Sequence, residues 1–84
     1  MPTKIDLEAD VIYALVMRIG GEDSYTDSTK SQIWAESRQN DHLRNLARLY
    51  LAGSMERSEA NLERLREAVI KVFFTDPVTG ESRL

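Results

Sequence analysis

The seven consecutive apolar residues at positions 11–17, VIYALVM, constrain this chain more than any other feature. They lie within residues 5–19, IDLEADVIYALVMRI, preceded by acids and closed by Gly20 and Gly21. A run this apolar has to be covered by the rest of the chain or by a partner. Wound as a helix, it places Leu7, Val11 and Leu15 on one face with Ile19 nearby. Ala9, Ile12 and Val16 make a second face, and Tyr13 and Met17 a third. Only Glu8, Asp10 and Arg18 interrupt the apolar surface. A helix apolar nearly all round is expected to be central or to lie at an interface.

A buried strand over residues 11–17 is the competing reading, since a short apolar run is compatible with either element. Helix is preferred because Leu, Ala, Met and Glu are good helix formers and no partner strand is evident later in the chain. Thr3 or Asp6 can cap its start, and Asp6, Glu8 and Asp10 suit the positive end of the helix dipole. The glycine pair supplies a residue able to take a left-handed conformation at the helix end.

Whether the chain can bury that helix depends on its remaining segments. Residues 20–31 are rich in Gly, Ser, Thr and Asp and read as a loop. Asp27 or Ser28 is expected to cap a second helix running to about Gln39. Its inward positions are few: Ile33, Trp34 and Ser37, with Trp34 as the anchor. A break at residues 38–41, with Asn40 or Asp41 as the next cap, leads into a third helix over residues 42–52. There Leu43, Leu46, Ala47 and Tyr50 share a face that Leu49 and Leu51 widen, while Arg44 and Arg48 fall together on the polar side. Gly53 ends it. A fourth helix, started by Ser54 or Ser58, runs to about Phe74. Met55, Leu62, Leu65, Val69, Val72 and Phe73 form its stripe, with Ile70 and Phe74 as a second apolar edge facing a second neighbour. Arg57, Arg64, Glu67 and Lys71 occupy its solvated side. Asp76-Pro77 and Thr79-Gly80 carry turn chemistry.

The expected fold is therefore all-α. It is a small bundle of three to four helices with a short C-terminal extended arm, its last two helices forming a hairpin. At 84 residues it is a single domain spanning 1–84, with 1–3 and 76–84 flexible.

Composition excludes more than it proposes. With no cysteine, disulfides, thiol catalysis and Cys-ligated metals are out of reach. The single His42 beside Asp41 has no second histidine to complete a metal or acid–base constellation, and sequence neighbours on a helix do not face each other. Gly20-Gly21-Glu22-Asp23 lacks the lysine and hydroxyl of a phosphate loop. No catalytic, cofactor-binding or metal-binding residue is assigned, no cofactor is expected, and the chain reads as a non-enzyme. The N-terminus is a poor match to a signal peptide and the apolar run is far short of the ~20 residues that cross a bilayer, so a cytoplasmic protein without a membrane partner is expected.

Charge is distributed unevenly. The net charge is −3, with residues 1–23 carrying −3 and residues 42–53 carrying +2. Such an acidic front suits a basic protein better than a nucleic acid. The leading expectation is a non-enzymatic protein-binding module. It would be a homodimeric small regulator, adaptor or inhibitor, of the kind phages and mobile elements direct at nucleic-acid-binding proteins. Tyr13, Met17, Ile70 and Phe74 are its expected partner-binding residues, with Tyr13 and Met17 as an exposed pair. The alternative is a small DNA-binding transcriptional regulator, with Arg38, Arg44 and Arg48 as contacts to an anion or an acidic partner.

Overall fold

A computed structural model describes residues 3–53, 55–76 and 78–81, without the side chains of residues 55–57. The described residues form four α-helices, α1 (Lys4–Gly20), α2 (Asp27–Gln39), α3 (Asp41–Ala52) and α4 (Met55–Phe73), with a 3-10 turn over Glu22–Ser24. Residues 11–17 are helical throughout, which removes the strand alternative. The all-α small bundle is the observed fold.

The first three helices each begin at a side chain that satisfies free backbone donors. At α1, the Thr3 hydroxyl accepts from the Asp6 N–H (3.2 Å) and the Asp6 carboxylate accepts from the Thr3 N–H (3.3 Å), a reciprocal capping box. Asp6 thereby completes the Thr3 cap instead of replacing it. α2 is capped by Thr26, whose hydroxyl accepts from the Thr29 N–H, rather than by Asp27 or Ser28. Asn40 does the same for Leu43 at α3, so a single residue separates α2 from α3. The expected cap Ser54, the stripe residue Met55, the solvated Arg57 and the helix-stopping Pro77 lie outside the described residues or have undescribed side chains.

The two glycines after α1 act separately. Gly21 takes φ +83°, a region that L-residues avoid, and its N–H bonds to the Met17 carbonyl (3.0 Å). Gly20 is still helical, and its bare Cα leaves the space occupied by the Tyr25 phenol; a Cβ there would collide with it.

α1 packs against all three other helices, and its inner face supplies much of the core. Ile12, Val16, Leu43, Ala47, Leu65 and Val69 are fully buried, joined by Leu15, Met17, Ile33 and Phe74. The weakly apolar α2 packs chiefly on α1, through a small number of inward side chains. Ile33 is buried, the fully buried Ser37 returns its hydroxyl to the Ile33 carbonyl (2.7 Å), and Trp34 meets Tyr13 edge-on at 6.0 Å between ring centroids. α3 and α4 form the expected hairpin: the Asn61 amide donates to the Leu49 carbonyl at one end, while His42 and Leu46 lie beside Glu67, Ala68 and Lys71 at the other.

Several apolar positions depart from expectation. Leu49 and Leu51, expected to widen the buried arc of α3, are 54% and 52% exposed, and Val72 of the α4 stripe is also exposed. Phe74, one turn beyond half-buried Ile70, is 8% exposed: its N–H makes a helical i→i−4 bond to the Ile70 carbonyl, to which the Thr75 hydroxyl also donates. The described part of the C-terminal arm is a closed turn. The Asp76 carboxylate accepts from the N–H groups of Val78 and Thr79, and the Asp76 carbonyl accepts from Gly80.

Candidate interaction surface

The polar feature that α1 carries inward is Glu8. Only 6% exposed, it lies in helical phase with Ile12 and Val16, so the winding that buries those two buries the carboxylate as well. An isolated carboxylate in such a place would be strongly unfavourable. Arg44 and Arg48, one turn apart on α3, compensate it: an Arg44 Nη atom lies 3.9 Å from one Glu8 oxygen and Arg48 Nε 3.4 Å from the other. Arg44 also bonds to Asp41, and Arg48 to Asn45. The group is charge-balanced, two carboxylates against two guanidiniums. Its cost is the buried Arg44 Nε, which has no hydrogen-bond partner among the described residues.

Arg38, at the end of α2, extends this seam by pairing its Nε with Asp6 at 3.0 Å. The Asp6 carboxyl is held below its usual value chiefly by the Thr3 backbone N–H. Desolvation opposes this, while the Thr3 hydroxyl and Arg38 assist. All three arginines expected to reach an outside anion are therefore directed at carboxylates of α1. Part of the acidic front is thus neutralised within the chain.

The expected partner-binding residues separate. Met17 is 7% exposed and Phe74 8%, so both are core residues, and the reading of Met17 as half of an exposed pair is corrected. The reason is α2, which lies over the third face of α1 despite its few apolar residues. Tyr13 is half-buried against Trp34, and Ile70 is half-buried against the core. Two of the four are thus core residues and the other two are only part-exposed.

What α1 presents outward is a different set. Asp10, Ala14 and Arg18, spaced four apart, are all exposed and form a low ridge. One flank of this ridge is a groove lined by Val11, Leu15, Tyr50 and Leu62. It continues towards the start of α4 as a depression of about 780 Å³, with Ile19 and Ala60 in its walls and Glu59, Glu63 and Arg66 around it. The other flank is shallower and is bordered by Tyr13, Met17 and Glu22. Leu7, one turn before Val11, is 48% exposed at the head of the first groove.

Neither hollow is an enclosed site with converging polar groups, the usual form of a small-molecule pocket. His42 is exposed beside Leu46, Arg64 and Lys71. Among the described residues no three His, Asp or Glu side chains gather as a metal site, and no helix is long and apolar enough to cross a membrane. Sequence reasoning missed Glu8 as a buried group and Asp10–Ala14–Arg18 as a ridge. The signal for Glu8 was its phase, four residues before Ile12, together with arginines at i and i+4 on a later helix.

Comparison with protein-family models, curated proteins and solved structures returns no match to this chain.

Proposed function

We propose that the chain is a non-enzymatic protein–protein interaction module, a small homodimeric regulator, adaptor or inhibitor that docks protein along the outward side of α1. The observation that carries this reading is the open groove formed by Val11, Leu15, Tyr50 and Leu62, continuous with the depression beside Ile19 and Ala60. It is long, shallow and apolar-floored with charged edges, the form of a surface that receives a helix rather than a metabolite. Arg18, Glu59, Glu63 and Arg66 stand along its edges, so the rim offers both signs of charge to a second protein bound there.

The test compares the tagged chain with its Leu62→Glu and Val11→Lys variants, each checked for helicity by circular dichroism, in capture from native cells. A specific protein, either an untagged copy or another chain, should be retained by the parent and lost by both variants. Identical retained sets would sink the reading.

A further inference from the structure

We infer that the partner seated on this surface is a second copy of the chain, paired in antiparallel sense through α1 about a two-fold axis at Ala14. The inference deepens the proposed function and rests on it. Its basis is the charge pattern of the ridge. Asp10 and Arg18 stand four residues to either side of Ala14, about 6 Å along the helix in each direction. Both are exposed, and neither side chain makes an ion pair or hydrogen bond among the described residues, whereas Asp6, Glu8, Arg38, Arg44 and Arg48 are all engaged.

Turning the helix over about Ala14 brings Asp10 of one copy opposite Arg18 of the other, twice. A parallel pairing would set Asp10 against Asp10 and Arg18 against Arg18. The ridge is complementary to itself in one direction only, which is the requirement of an isologous interface.

Shape agrees with charge. Ala14, the residue on the axis, is the smallest of the ridge, so two backbones can approach to the 8–10 Å typical of packed helices. An axis lying across the helix keeps each flank on its own side. The apolar flank of Val11, Leu15, Tyr50 and Leu62 therefore lies beside its counterpart along the ridge contact, with exposed Leu7 at its head.

Sedimentation equilibrium on the purified full chain tests this. The parent should dimerise. Asp10→Arg alone and Arg18→Asp alone should each weaken dimerisation by roughly tenfold or more, because each places like charges opposite one another at two sites. An equimolar mixture of these two variants should recover parental association, since a ridge basic at both ends then faces one acidic at both ends. The double variant D10R/R18D should recover it alone, because exchanging the two charges restores opposite signs at both crossings. Ala14→Glu, which sets two carboxylates on the axis, should leave monomers with unchanged circular dichroism. A parent that stays monomeric to roughly 1 mM, the weak end of specific association, overturns the inference. So does a dimer indifferent to both reversals, or one that the mixture fails to restore. A dimer lost with Leu62→Glu but insensitive to the charge reversals ends the inference and leaves the groove reading standing, as does a monomer that captures another protein through the groove. With neither association nor groove-dependent capture, both fall.

Discussion

Glu8 and Asp10 are two residues apart on the same helix, carry the same charge, and meet opposite fates. Glu8 faces α3, is nearly inaccessible, and is held by two arginines. Asp10 faces solvent, and with Arg18 it forms half of a charge pattern that no described residue of the chain completes. A rotation of about 200° separates them. The difference shows that in a helix apolar nearly all round, polar residues are divided between two tasks: the inward one fixes how the chain packs on itself, and the outward ones determine what else can pack upon it.

This contrast can be broken most forcefully from the inside. Replacing both Arg44 and Arg48 by Met strands the Glu8 carboxylate, and urea denaturation at neutral pH should show a loss of about 3 kcal/mol, at the lower end for an uncompensated buried charge because the Arg48 side chain is 59% exposed. Adding Glu8→Leu to that double variant should recover most of the loss, since apolar replacement of a whole buried ion group is often neutral. A smaller effect is expected at the junction that aims the two arginines. Asn40→Ala removes the cap accepting from the Leu43 N–H and should cost about 1 kcal/mol in the same measurement.

The outward charges should behave differently again. Asp10→Arg in the folded monomer, measured below its association range, should shift stability by no more than about 0.5 kcal/mol in either direction. A large destabilisation would mean that Asp10 has a structural partner and would dissolve the contrast. The least effect is expected from Asp6, on the border between the two faces. Its carboxyl is more acidic in the folded chain than its ordinary value of 3.8, so its ionised form stabilises the fold above that value. That contribution is lost as pH falls through the lowered folded value, and Asp6→Asn should flatten this part of the urea midpoint profile below about pH 4.

The elements were legible because their signals are local. Apolar period, cap residues and the glycine pair placed four helices and the α3–α4 hairpin, with Thr26 overlooked because Asp27 and Ser28 offered equally good cap chemistry one and two residues later. Burial was less legible because it depends on which neighbour covers which face. Met17 is buried on the side of α1 that α2 covers despite its small apolar content, and Phe74 is buried immediately after α4, where the stripe no longer says which neighbour it meets. Leu49 and Leu51 repeat the letters of a core stripe, yet about half of each remains open to solvent. Arg38, Arg44 and Arg48, expected to reach an outside anion or acidic partner, pair instead with Asp6 and Glu8 of the first helix, a separation at which sequence alone gives no pairing.

The seam of Glu8, Arg44 and Arg48 also ties the chain's behaviour to temperature. The hydration that favours separated, unfolded charges weakens on heating, while the gain from burying apolar surface levels off. As the molecule warms, the balance of what holds α1 in place therefore moves from its apolar contacts towards this one polar cluster. Variants that lack the cluster should diverge most from the parent near the thermal midpoint.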